Sequence, residues 1–371
     1  MSKIRTALKV DVNTPAAKQP YLHNRWHPDV PFCGKIHNNE TVKIECLDWT
    51  GGQIGNNDSA DDVLNVDLTK VHYLSGPFEI EGAEPGDVLC VEIQDVQPFE
   101  DQPWGFSGVF HRENGGGFLD EIYPNAAKAI WDFEGIHCTS RHIPGVKFAG
   151  LIHPGILGCA PSAEILAEWN RREAELISEK AADGKTTRTV ANPPLTTNTH
   201  AGAADETAAA KIAAEEGDGE ISFCGAIEMA GVITVKCTVM KDGQKQLGMV
   251  NGKSPIFIPG PVQPQFGPGR MLYFEGFSVD ENGKQHFLDA TVAYRQSCLR
   301  IIEYLKRYGY DDYQIYLLLS AAPVEGHIAG IVDIPNACTT IGLPMDIFEM
   351  DIRPETPAKK LDMARAPVSV K

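Results

Sequence analysis

The sequence lacks a surplus of positive charge: 33 Lys and Arg stand against 50 Asp and Glu, a formal net charge of −17. Phosphate backbones and anionic membrane surfaces repel such a chain, so neither nucleic acid nor membrane is expected as a partner. A small neutral substrate is indifferent to that charge. Long apolar runs are missing too. The longest, around IYLLLSAAPV, falls well short of the ~20 residues that span a bilayer. The opening MSKIRTALKVDVN has no apolar core of a signal peptide, and a cytoplasmic location is expected. No CxxC pair occurs among the nine cysteines, and nine is an odd count. Both facts speak against a disulfide framework or a thiolate zinc site and for reduced, mostly buried thiols. There is also no P-loop, no dinucleotide fingerprint after a strand, no HExxH and no GxSxG elbow. Any site is therefore assembled from scattered loops.

What is present is an ordinary globular composition, 43% hydrophobic and 22% charged, in a chain of 371 residues that can bury a sizeable core. Through residue 150 the pattern is strands and Gly/Pro turns, as in TVKIECLDW (41–49) and GDVLCVEIQDV (86–96), with EPGD as a turn. From Ser162 the period becomes helical, with Ile165, Leu166, Trp169, Leu176 and Ile177 on one face. Residues 184–217 read as a linker with a marginal alanine-rich helix. Strands return after Gly217 through VITVKCTVM and MLYFEGFSV. Two helices follow. Tyr294, Cys298, Ile301, Ile302 and Leu305 share a face of the first, while DDYQIYLLLS is apolar nearly all round and is expected to be buried. The expected fold class is α+β, a β-rich layered sandwich with packed helices, in one domain over 1–350. The Pro- and Lys-rich tail, 351–371, is expected to be disordered.

The stretch AAAKIAAEEGDGEISFCGAIEM (208–229) passes from helix to alternating strand with no loop between them. A strand of period two puts Asp218, Glu220, Ser222, Cys224 and Glu228 on one face and Ile221, Phe223, Ile227 and Met229 on the other. That face is either the solvated side of a sheet or a site, since Gly217 and Gly219 open the backbone to a ligand. In GLIHPGILGCAPSAEIL (150–166), His153 is a candidate metal ligand, or a histidine that only bonds its own turn. In LDWTGGQIGNNDSADDV (47–63), Asp58, Asp61 and Asp62 offer hard oxygens, but the spacing is not that of an EF-hand and an ordinary capped loop competes. His111 and Glu113 lie in the glycine-rich GVFHRENGGGF, and His327 and Cys338 lie among small residues further on.

The segments GDGEISFCGAIEMAG, IHPGILGCAPS, EGAEPGDVLCVEI, FGPGRMLYFEGFSVDE, DATVAYRQ and VDIPNACTTIGLPMDIF together resemble the formamidase/acetamidase family, most closely its fungal-type formamidases. The resemblance implies hydrolysis of formamide, or another short aliphatic amide, to a carboxylate and ammonia in a homo-oligomer. It also implies water activated by a divalent metal, zinc by preference. Carried onto this chain, it makes His153 and Asp58 metal ligands, Glu220 and Asp218 the catalytic carboxylates, and Cys224 and Glu228 pocket residues. It exposes a departure as well. Family members carry a Gly-Gly-Asn-x-Asp motif and a Gly-Asp-x-His segment ahead of Gly-Asp-Gly-Glu, whereas here Glu216 runs directly into Gly217, as at a deletion junction. Two alternatives stay open: a catalytically impaired chain that associates with a full-length sibling, and a thiol amidase using Cys224 or Cys159.

Overall fold

The computed structural model describes residues 4–149, 155–168, 171, 199–200, 221–222, 224–248, 270–361, 363 and 365–371. The strands that frame the molecule are β1 (Arg5–Leu8), β2 (Glu40–Cys46), β3 (Val88–Pro98), β4 (Trp104–Val109), β5 (Ala126–Glu134), β6 (His137–Thr139) and β7 (Lys147–Ala149). They continue as β8 (Cys224–Glu228), β9 (Gly231–Met240), β10 (Met271–Phe277), β11 (Glu325–Gly330), β12 (Cys338–Pro344) and β13 (Val368–Ser369). The helices used below are α1 (Asp61–Leu64), α2 (Ala290–Leu305) and α3 (Asp312–Ala321). This is the expected mixed, β-dominated architecture.

One sheet runs in the order β1-β2-β9-β3, parallel only at its β1 edge. Its longest ladder pairs Gly231 with Pro98 at one end and Met240 with Val88 at the other. The alternation in VITVKCTVM explains it: Ile233, Val235 and Cys237 point inward onto Val42 and Ile44. The EPGD turn forms ahead of β3, with Gly86 at φ +97° and the Asp87 N–H donating to the Glu84 carbonyl at 3.0 Å.

A second sheet runs β7-β6-β5-β4-β8, and β13 pairs with β5 beside it. A third, β10-β12-β11, carries α2. The predicted apolar face of α2 is buried at Cys298, Ile301, Ile302 and Leu305, and Asp289 caps its N-terminus by accepting from the Thr291 and Val292 N–H groups. Close packing there depends on Gly276, where a Cβ would lie 2.0 Å from the Ala293 carbonyl oxygen. Every residue of α3 from Gln314 to Ala321 is buried, and an Asp311/Gln314 capping box starts the helix. The main core joins α2 and α3 to Trp131, Phe148 and Tyr308.

The tail departs from its expectation of disorder. Ile352 and Ala366 are 1% and 5% exposed, and β13 pairs Val368 with Ala127 and Ser369 with Ala126. Its apolar anchors are isolated among Pro and Lys and leave no periodic trace. Of 184–217, only the pairing of Thr199–His200 with Arg25–Trp26 is described. The helix after Ser162 is seen through its first turns, where the Ser162 Oγ accepts from the Ile165 N–H at 3.2 Å.

Candidate active site

Where the first two sheets meet, the chain crosses from β8 to β9 through Met229 and Ala230. A cavity of about 80 Å³ opens there, enough for a ligand of a few heavy atoms. Among the described residues its wall includes Leu47, Trp104 and Phe106, and its acidic and amide side chains include Asp48, Gln102 and Glu228. Glu228 is held by two features of the strand pair. Ala226 sits at φ +52° in a bulge that shifts the β8/β4 register between Cys224 and Glu228. Gly105 of β4 then allows close approach, since a Cβ on it would lie 2.6 Å from Ile227 and 2.7 Å from the Glu228 carbonyl. The bulge corrects the expectation of an uninterrupted two-residue alternation from 218 to 229; Ile221 and Ser222 are both buried.

Asp48, at the end of β2, is 9% exposed. Its Oδ1 accepts from the Thr50 N–H at 2.9 Å and from the Thr50 hydroxyl, and its Oδ2 accepts from the Gly52 N–H at 3.0 Å. Burial raises its pKa, and those donors oppose the rise. The turn needs left-handed backbone at Gly51 and Gly52, φ +70° and +87°, which the Gly-Gly pair supplies.

Beyond this turn, residues 55–62 are pinned to the second sheet from below. Lys128 of β5, fully buried, donates from Nζ to the Gly55 carbonyl (3.0 Å), Asn57 Oδ1 (3.0 Å) and Asp62 Oδ2 (2.7 Å). At the surface Asp58 Oδ1 accepts from Arg141 Nε at 2.8 Å and faces His142 Nε2 at 3.0 Å. His142 Nδ1 accepts the Ile130 N–H at 3.0 Å, so the neutral ring carries its proton on Nε2 and donates it to Asp58. Burial lowers the His142 pKa, with the nearby Arg141 charge acting in the same direction and the Asp58 bond against it. An unfolded histidine titrates near 6.5. As pH falls below that value, the unfolded chain takes up a proton that the native ring refuses, so stability is lost toward acid. Urea denaturation at a series of pH values from 7.5 to 5.5 is expected to show a steeper loss for the native chain than for His142→Gln. Equal slopes would remove His142 from this role.

Of the six residues singled out by sequence, Glu228 is in the cavity wall and Asp58 is joined to Arg141 and His142. His153, Asp218 and Glu220 lie outside the described residues, as does the side chain of Cys224. The chain resumes after Glu220 in a fixed setting. The Tyr316 hydroxyl of α3 accepts from the Leu119 N–H at 3.0 Å and donates to the Ile221 carbonyl at 3.1 Å, and the Ser320 Oγ accepts from the Ser222 N–H at 2.9 Å. Among the described residues no group of three or more His, Cys, Asp or Glu is placed to hold a metal ion. Asp48, Lys128 and His142 are the residues that sequence reading passed over. For Asp48 a signal existed: Asp-x-Thr-Gly-Gly is a side-chain-capped turn followed by residues that tolerate positive φ. His111, in the other glycine-rich loop, is 9% exposed, and its Nδ1 accepts from the Glu113 N–H at 3.2 Å. Burial pushes up the thiols of Cys33, Cys237 and Cys338, and that of Cys46 to about 11, away from the thiolate a nucleophile needs.

The sequence profile of the Acetamidase/Formamidase family matches residues 9–216 and 214–350, which include all the described residues that line the cavity. The chain belongs to this family. As a member, it is an amide hydrolase. A Schizosaccharomyces pombe protein assigned as a formamidase is 59% identical over 405 positions, covering 97% of each chain. The formamidase of Methylophilus methylotrophus is 47% identical over 403 positions, covering 96% of this chain and 97% of that one. Among solved structures, a gamma lactamase from Delftia acidovorans superposes with a TM-score of 0.89 at 43% identity, over 99% of both chains. The family match breaks into two pieces at 214–216, the junction where the resemblance placed missing residues. Consistently, 405 aligned positions against 371 residues leave at least 34 filled only in the yeast relative.

Proposed function

We propose that the chain hydrolyses formamide to formate and ammonia. The supporting observation is its near end-to-end identity with two relatives assigned as formamidases. A cavity sized for a few heavy atoms suits a one-carbon amide. The same reading makes Glu220 and Asp218 the catalytic carboxylates and gives Cys224 and Glu228 to the substrate pocket. It also proposes a zinc-like divalent cation on His153 and Asp58, a homo-oligomer and a cytoplasmic location. The described residues do not by themselves fit the cation: they offer no three-ligand group, and Asp58 Oδ1 is already engaged by Arg141 and His142. The cation therefore rests on the resemblance alone. No helix among the described residues is long and apolar enough to cross a membrane.

The split family match favours a second reading, a chain impaired by a missing segment that acts, if at all, beside a full-length sibling. Ammonia release from formamide, with metal content measured on the same samples, separates the two. The chain as it stands is compared with one in which a family segment is restored between Glu216 and Gly217. Turnover by both supports a working formamidase, and Glu220→Gln is then expected to lower kcat by about 10²–10⁴. Turnover by the restored chain alone supports the impaired reading. Turnover by neither removes formamide as the substrate.

A further inference from the structure

The third sheet ends in a row of paired residues, Phe277 of β10, Cys338 of β12 and Gly330 of β11. Two loops leave from that end: 278–289, leading to α2, and 331–337, joining β11 to β12. Hydrogen bonds tie them together. The Ser278 N–H donates to the Ala337 carbonyl at 3.1 Å, the Ala337 N–H donates to the Ser278 Oγ at 3.0 Å, and the Leu288 N–H donates to the Pro335 carbonyl at 2.9 Å. On this fixed frame large apolar side chains stand in solvent. Phe277, Phe287, Ile328, Ile331, Val332 and Ile334 are between 40% and 78% exposed. At ~150–200 Å² for a fully exposed side chain of that size, they show on the order of 600 Å² of apolar surface, the upper end of what a typical monomer leaves uncovered. With a polar rim around it, the patch reaches the ~800 Å² that each partner of a stable dimer buries.

The charges around the patch narrow the occupant. Three acids of the longer loop are engaged within the chain: Asp280 Oδ2 faces His286 Nε2 at 2.9 Å, Glu281 accepts from Gln296 Nε2 at 3.1 Å, and Asp289 caps α2. Lys284 and Asp333 are exposed, and neither side chain has an ion pair or hydrogen bond among the described residues. Their signs are opposite. A rim that offers one free cation and one free anion is complementary to itself across a two-fold axis, where the lysine of each copy can face the aspartate of the other. An anionic membrane is a poor occupant by contrast, because the chain carries a net charge of −17. We propose that this end of the third sheet is a two-fold interface between copies of this chain, with Phe287, Val332 and Ile334 at its apolar centre and Lys284 and Asp333 paired reciprocally at its rim. The proposal deepens the homo-oligomer part of the formamidase reading by naming the surface, and it shares the premise that the chain associates with itself. Because the loops are already fixed, little conformational freedom is lost when they are covered.

The test is the molar mass of the full chain by light scattering over about 1–100 μM, a range that spans weak and moderate association. The native chain is compared with Val332→Asp/Ile334→Asp, with Lys284→Asp and Asp333→Lys singly, and with the exchange Lys284→Asp/Asp333→Lys. The native chain is expected to be an even-numbered oligomer. Val332→Asp/Ile334→Asp, which alters only exposed side chains, is expected to keep the native Tm of the separated chain and to raise the dissociation constant by about 100-fold or more, so that the particle falls to half its mass. Each single rim change weakens association several-fold, and the exchange restores it because opposite signs still meet. If Val332→Asp/Ile334→Asp fails to fold, Val332→Ser/Ile334→Ser and the rim exchange decide. An oligomer whose mass Val332→Asp/Ile334→Asp leaves unchanged overturns this surface and leaves the homo-oligomer reading intact. A native chain that stays monomeric over the whole range overturns both, while hydrolysis of formamide is judged separately by ammonia release. Single rim changes that weaken association without recovery in the exchange overturn the two-fold pairing.

Discussion

Replacing Lys128 with methionine is expected to lower the unfolding free energy by about 3–5 kcal/mol, the range for breaking a buried ion pair from one side. The side chain is 0% exposed, and its three ammonium protons are matched to three oxygens on residues 55–62. Burial lowers the Lys128 pKa and the Asp62 charge partly restores it, so the cation is held by its partners rather than by solvent. Methionine fills the volume but leaves the Asp62 Oδ2 and the Gly55 carbonyl facing an apolar sulfur. The double variant Lys128→Met/Asp62→Leu removes the stranded charge and is expected to recover a good part of the loss. Urea denaturation of the three proteins measures both effects. A single-variant loss under about 1 kcal/mol would show that residues 55–62 hold their place without Lys128. The consequence reaches the cavity, because Ile54, one residue before this loop, is part of its wall. Loosening the loop is therefore expected to weaken substrate binding even though Lys128 is not among the described residues lining the cavity.

The chain announces α2, α3 and the long strands because their signals are local: a 3.6-residue apolar stripe, an all-apolar helix behind an acidic cap, and two-residue alternation. The polar interior is hidden because its partners are distant. Lys128 meets Asp62 across 66 positions, and Ala-Ala-Lys-Ala-Ile-Trp reads as a strand with its lysine turned to water. His142 finds Asp58 across 84 positions. The family resemblance, on a strand face rich in acids, singled out Glu228 as a pocket residue, and the residue lines the cavity at the sheet junction. Its actual setting depends on the Ala226 bulge, and an alanine at positive φ leaves no mark in a sequence. Asp48 was eclipsed by the denser acids that follow it, although it is the acid of that stretch that reaches the cavity. The family resemblance supplied what periodicity does not, including the junction before Gly217, where the family match divides.

Removing residues 351–371 is expected to cost at least about 4 kcal/mol, a large part of the ~5–15 kcal/mol that holds a domain together. Ile352 alone, 1% exposed beside α2, accounts for about 2–5 kcal/mol once the void it leaves is counted. Its carbonyl accepts the Tyr304 hydroxyl, and the Leu361 N–H donates to the Tyr308 carbonyl at 2.9 Å. Further on, the Pro367 carbonyl accepts the Lys128 N–H at 3.2 Å, and the Ser369 hydroxyl reaches Asp61 at 2.6 Å. The tail thus binds the helical layer with its first half and the 55–62 loop with its second. Two shorter changes divide the effect. Ile352→Ala is expected to show most of the lost stability, whereas deletion of 366–371 is expected to cost about 1–2 kcal/mol, in line with a few lost hydrogen bonds and one small buried side chain. Limited proteolysis should then find cleavage near 55–62 in the shorter deletion and throughout α2 in Ile352→Ala. If full truncation leaves the urea midpoint within 0.2 M of the native chain, on the order of 0.5 kcal/mol at a typical m-value, the tail would be a passenger on the sheet. Polar composition would then have been the better guide to it than burial.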